Sequence, residues 1–368
     1  MQARHIFLGL LLAIGFASCI PDDGPPDPPA ETDRSLLELP YAPEAYTYQV
    51  PDHFQELPQP DSNIATVAGL ELGQRLFFDP ILSRDSSISC ASCHFPEAGF
   101  ADGTDFSPGI IGEKTLRSSM SLVNIAYQSS YFWDGRSATL EEQSLHPVID
   151  PIEMDATWPQ IEERLRNSTP YAAGFRAAFG IERTSEIDRY LVAKAISQFE
   201  RSIISGNSRY DQVTFELRGF FTPLEEDGRE LFFTEPSLDH PGCAHCHNAP
   251  FFADNRFLNN GLDSSDTVEG FADLGRGAIS GNPFDNGKFR SPTLRNIELT
   301  APYMHDGRFA TLDDVIDHYA SGGHYSPTID PQITGFPLTS YDRDALKAFL
   351  LTLTDTTSLM APELSNPN

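Results

Sequence analysis

Apolar residues recur along this chain with a helical period. Ile187–Ser202 and Tyr341–Thr352 carry them at three- and four-residue intervals, which predicts a helix over each. Two further stretches, Gly73-Gln-Arg-Leu-Phe-Phe78 and Gly228-Arg-Glu-Leu-Phe-Phe233, read as helices ending in paired aromatics. Pro, Gly, Asn and Asp punctuate the loops, as over 102–108 and 281–287. No strand-period pattern dominates, so small hairpins are the most β-structure expected. One apolar run stands apart. Ile6–Ala17 follows Arg4 and His5, and its twelve residues match a signal-peptide core and are too few to span a bilayer.

The pattern repeats within the chain. Asn124-Ile125, Asp134-Gly-Arg136 and Ala138-Thr-Leu140 return as Asn296-Ile297, Asp306-Gly-Arg308 and Ala310-Thr-Leu312, at a constant offset. The echo extends to Gly99-Phe-Ala-Asp102 and Phe251-Phe-Ala-Asp254. An internal duplication is the physical reading. It predicts a mainly α protein built from two helical domains, with a boundary near residue 215. The expected organisation is a signal peptide over 1–18 and a tether over 19–45. An N-terminal domain over 46–214 and a C-terminal domain over 215–368 follow.

Composition narrows the function. The chain has 368 residues, 53 acids against 25 bases, and a net charge of −28. That excludes the basic face a nucleic-acid partner wants. An electrostatically docked protein partner would have to be basic. The tether, Pro21-Asp-Asp-Gly-Pro-Pro-Asp-Pro-Pro29, is stiff and extended by composition.

Five cysteines carry the chemistry. Four fall in two CxxC pairs, Cys90-Ala-Ser-Cys93-His94 and Cys243-Ala-His-Cys246-His247. Disulfides or a redox pair would not need the following His, and a four-cysteine zinc site would leave both histidines idle. CxxCH is the pattern of covalent haem attachment: two thiols bind the porphyrin and the adjacent His ligates iron. Two c-type haems are therefore expected, on two cytochrome c-like domains. The fifth cysteine closes Phe16-Ala-Ser-Cys19, which resembles the lipobox of bacterial lipoproteins. The resemblance implies lipidation at Cys19, a location in the periplasm or cell envelope, and membrane contact only through the lipid.

The duplicated halves differ where function should lie. At the constant offset, Trp133 corresponds to His305, Gln143 to Val315, His146 to His318 and Pro147 to Tyr319. One half thus has a phenol where the other has no ligating side chain. That asymmetry implies one haem open on its distal face and one closed on both.

The two CxxCH motifs, Phe132-Trp-Asp-Gly-Arg136, Glu142-Gln143, Pro151-Ile-Glu-Met154, Leu294-Arg-Asn296 and Ala301-Pro-Tyr-Met-His-Asp-Gly307 resemble the bacterial di-haem cytochrome c peroxidases and MauG. The resemblance implies peroxide cleavage at the N-terminal haem, with Gln143 and Glu153 in its distal pocket and Trp133 between the haems. It implies a distal ligand to the second haem at Tyr319, as in MauG, where the peroxidases carry Met; His318 and Met304 stand as alternatives. Neighbours on a helix diverge by about 100°, so Tyr319 and His318 cannot both ligate. Calcium between the domains is implied at the Thr300 and Pro302 carbonyls, with Ser118 where the family has Asn. Many of the peroxidases carry a blocking His in a loop where this chain has Ile110, so the first haem should be open when oxidised. Trp158 reads as packing. The expected partners are hydrogen peroxide and either a small electron-donor protein, a cytochrome c or cupredoxin, or a protein substrate oxidised as by MauG. A non-catalytic electron-transfer cytochrome is a third reading, disfavoured by Glu153 with Gln143.

Overall fold

Helix-start chemistry recurs at the head of nearly every long helix in the computed structural model, which describes residues 33–367. The helices are α1 (Val67–Phe78), α2 (Leu140–Gln143), α3 (His146–Ile149), α4 (Trp158–Asn167), α5 (Thr169–Phe179), α6 (Arg189–Glu200), α7 (Arg209–Thr214), α8 (Pro223–Phe233), α9 (Gly277–Ser280), α10 (Leu312–Ser321), α11 (Ser340–Leu351) and α12 (Thr356–Leu359). Thr66 caps α1 by accepting from the Gly69 N–H. Thr222, Thr311 and Thr339 form reciprocal boxes with Glu225, Asp314 and Asp342 at α8, α10 and α11. Each cap satisfies backbone donors that the helix leaves open. The only named strands among the described residues are β1 (Phe257–Leu258) and β2 (Phe289–Arg290), paired antiparallel with Phe257 opposite Arg290.

The duplication is visible as two copies of one helix crossing. In the first half α1 packs on α6, and in the second α8 packs on α11. A Cβ on Gly73 would fall 1.9 Å from the Ala195 carbonyl oxygen, and one on Gly228 would fall 1.9 Å from that of Ala345. Only glycine permits backbones this close. The approach brings Phe77 to 5.1 Å from Phe199, and Phe232 to 5.1 Å from Phe349, all four rings fully buried. Burying each such ring contributes about 1.5–3 kcal/mol.

The halves are less separate than the sequence implies. The expected boundary near 215 assigns α7 to the first half. In the structure Tyr210 packs with Phe232, Phe252 and Phe349 of the second half. Asp211 pairs with Arg295 at 2.7 and 2.8 Å, both side chains fully buried. Conversely Leu359 and Leu364, at the C-terminal end, join the first half's core with Phe77, Phe100 and Phe199. The tether also ends earlier than residue 45. The Leu36 N–H donates to Glu182 O at 2.8 Å, Ser35 bridges Arg183, and Leu36 is buried, so Asp33 onward is part of the fold. The signal peptide, the lipobox with Cys19, and the proline-rich stretch lie outside the described residues. Among the described residues no helix is long and apolar enough to cross a membrane.

Candidate haem sites

Each CxxCH motif sits on a short 3-10 turn directly under its helix crossing, Cys90–Ser92 in the first half and Cys243–His245 in the second. None of these four cysteines is joined in a disulfide. Burial pushes all four up, Cys93 and Cys246 to about 11, because each sits in apolar surroundings. The histidines are oriented alike. His94 Nδ1 donates to Phe100 O at 2.8 Å, and His247 Nδ1 donates to Phe252 O and Pro292 O, each at 3.1 Å. Phe100 and Phe252 are the matching residues of the repeat, and both turn their carbonyls inward from a positive φ, 56° and 52°. In both motifs this leaves Nε2 as the nitrogen available to iron, the arrangement in which a carbonyl fixes a ligating imidazole.

In the second half a cavity of about 260 Å³ stands over the motif. Cys243, Cys246 and His247 line it, and so do Met304 and Tyr319. Asn260 Nδ2 donates to Tyr319 Oη at 3.3 Å and lies 3.4 Å from Met304 Sδ, so the phenol and the thioether share one amide. Burial pushes the Tyr319 phenol up to about 12, with Asn260 opposing. His318 faces elsewhere. Its Nε2 donates to Asn260 O at 3.0 Å, and it is not part of the cavity wall.

The first half differs at the matching helix. The helix that is continuous as α10 in the second half is broken here into α2 and α3. Pro147, at the position of Tyr319, lies at the start of α3, where its missing N–H and its ring forbid an unbroken helix. Gln143 ends α2, and its Oε1 is buried with no hydrogen-bond partner. Its counterpart in the repeat, Val315, lines the second half's cavity. Glu153 follows α3. Burial pushes its carboxyl up to about 7, with Asp150 adding and Arg136 opposing. Its charge reaches both Cys90 and Cys93. The loop carrying Ile110 seats on the same turn, the Ile110 N–H donating to Glu153 O at 3.0 Å. His146 meets Phe132 edge-on at 5.6 Å. Trp158 is buried in the first half's core.

Trp133 joins the halves. Its Nε1 donates to Ser118 O at 3.0 Å, and its ring lies 6.4 Å from that of His305, its own counterpart in the repeat. Phe289 stacks on His305 at 3.7 Å. Thr300, Pro302 and Ser118 are brought onto the cavity wall near Trp133. The Ser118 hydroxyl is committed to Met304 O at 2.9 Å. Among the described residues no three His, Cys, Asp or Glu gather to hold a metal.

The profile of the di-haem cytochrome c peroxidases matches residues 67–218. MauG, the methylamine utilization protein of Methylorubrum extorquens, is 34% identical over 301 residues, 81% of this chain and 82% of MauG. The chain belongs to the di-haem cytochrome c peroxidase and MauG family. Cytochrome c551 peroxidase of Nitrosomonas europaea is 34% identical over 247 residues, 67% of this chain and 71% of that protein. A solved MauG-like protein associated with microbial copper homeostasis superposes with a TM-score of 0.81 at 35% identity, covering 88% of this chain and 99% of that one. This member of the family is accordingly a peroxidase-type oxidoreductase with c-type haems on a mainly α fold.

Two residues escaped the sequence reading. Asn260 has no motif of its own, and only the fold brings it to Tyr319. Arg290 lines the cavity 2% exposed, with its Nη1 unpartnered. A cation in an otherwise apolar β-strand was the available signal.

Proposed function

We propose that this chain reduces hydrogen peroxide at a haem held by Cys90, Cys93 and His94, with electrons arriving through a second haem held by Cys243, Cys246 and His247. The observation that carries the reading is that the first half holds both a carboxyl poised near neutrality, Glu153, and a buried amide oxygen without a partner, that of Gln143, ten residues apart in the chain. Haem iron, when bound, supplies the electron-accepting and electron-donating centre at which the O–O bond is broken. Glu153 takes the proton from the oxygen nearer the iron and returns it to the departing oxygen, which requires a group titrating near the working pH. Gln143 orients the peroxide. Pro147 leaves that face without a ligating side chain, and Trp133 lies on the route between the halves. Glu153→Gln tests this. Peroxide turnover should fall by ~10²–10⁴ while both haems remain attached. An unchanged rate would move proton transfer elsewhere.

A second reading, oxidation of a protein partner after the manner of MauG, is favoured by one observation. Tyr319 presents its hydroxyl to the second cavity. A phenolate is a hard anionic donor and stabilises oxidised iron, whereas a thioether raises the potential. Lipid attachment at Cys19, and a basic cytochrome c or cupredoxin as donor, complete the proposal.

A further inference from the structure

Arg290 is a buried cation with no anion. It closes β2, and its backbone N–H donates to Trp133 O at 2.8 Å. Its Nε reaches Phe132 O and its Nη2 reaches Met120 Sδ, each at 3.4 Å, both long contacts to weak or shared acceptors. Nη1 has no partner. Arginines nearby are treated differently. Arg117 pairs with Asp134 and Asp273, and Arg308 pairs with Asp263 and Asp306. Among the described residues no carboxylate pairs with Arg290. Burial pushes its guanidinium down to about 10, with Tyr131 the one charge partner opposing.

A buried charge left without a counter-charge is destabilising, and natural folds keep one where a ligand completes the pair. Arg290 lines the same cavity as His247 and Cys243. Gln128, on the same wall, also has a buried unpartnered Oε1. The repeat places Ser118 at the Arg290 position in the first half, so the cation belongs to the second site alone. We propose that Arg290 anchors the C-terminal haem by pairing its guanidinium with a propionate carboxylate of that haem, beside Trp133. This rests on the reading that a haem occupies the cavity at His247. The planar fork of a guanidinium matches a carboxylate in two parallel hydrogen bonds. Because the same residue holds Trp133 O and Phe132 O, it ties the haem edge to the segment that leads to the other half. The cation also offsets the propionate's negative charge, which otherwise favours ferric iron.

The test uses the haem-loaded chain with Arg290→Met, Arg290→Gln and Arg290→Lys. Haem content on the denatured chain is measured first, then the potential of each haem by spectroscopic titration. The Met and Gln variants should lower the C-terminal haem's potential by at least ~59 mV, a tenfold shift in its one-electron equilibrium. The N-terminal haem should move less, and Lys should retain most of the wild-type potential. The propionate-bending band in the resonance Raman spectrum should shift in all three, which keeps the proposal testable where a variant loads poorly. An unmoved potential at full haem content overturns it, as does a Lys variant as displaced as Met. Absence of a second haem from the wild-type chain would instead defeat the reading beneath it.

Discussion

Glu153 illustrates how one side chain's surroundings set its chemistry. A carboxyl in water titrates well below neutrality, and this one is moved to about 7 by burial and by Asp150. Peroxide turnover should therefore rise with pH through about 7, as the carboxylate forms, and that limb should vanish in Glu153→Gln. Stability should run the other way. The folded value lies above the unfolded one, so the folded chain holds this proton more tightly. The resulting stabilisation is present at low pH and lost as pH rises through about 7. Melting temperatures of wild type and Glu153→Gln, compared from about pH 5 to about pH 8, should show the wild type losing more. Tyr319 gives a second expectation at this scale. Tyr319→Phe should turn the second haem's ferric low-spin spectrum high-spin. If the low-spin spectrum persists, Met304, which shares the Asn260 amide, becomes the ligand to test, and the MauG-like reading loses its support. The CxxCH motifs were legible from local spacing, and Gln143, Glu153 and Tyr319 were expected from the family resemblance. Arg290 and Asn260 were not, because each acquires its role from partners across the fold, Trp133 and Phe132 for one and Tyr319 and Met304 for the other.

Among the elements, the paired crossings of α1 with α6 and α8 with α11 are what hold the motifs in place. Glycine inside a helix costs about 1 kcal/mol against alanine, so Gly73 and Gly228 are retained against propensity. The close approach explains why. Gly73→Ala or Gly228→Ala must push a backbone carbonyl and a phenylalanine Cβ away. Overpacking of this kind costs about 1–3 kcal/mol, and the loss should appear as a lower denaturant midpoint with an unchanged slope. An alanine that raised the midpoint would show that the helices separate freely. The same comparison shows what sequence periodicity conveys. It placed α6 and α11 within two residues. It missed that α2 and α3 are one interrupted helix, although Pro147 was in plain view, because the break is intelligible only beside the unbroken α10.

At the scale of the whole molecule, one fold used twice has been divided into unlike sites: a broken helix with Gln143, Pro147 and Glu153, and an unbroken one with Tyr319 and an apolar cavity. Contacts that cross between halves were the least legible part of the sequence. Tyr210 and Asp211 pack with the second half, and Leu359 and Leu364 return to the first, pairings that no local pattern encodes. They make each half depend on the other for its core, so cofactor loss should be separable while folding should not. Replacing Cys90 and Cys93 together with Ala should remove one haem's mass from the denatured chain and abolish peroxide turnover. The second haem's spectrum should stay intact. Replacing Cys243 and Cys246 should also remove one haem. That variant should still react once with peroxide when mixed in the oxidised state, but it should not turn over with a protein donor. The two variants distinguish a division of labour from redundancy. Turnover surviving the first replacement would mean that peroxide is cleaved at the second site, and the roles given to Glu153 and Gln143 would fall with it. Donor-driven turnover surviving the second would mean that electrons reach the first haem directly, without passing Trp133.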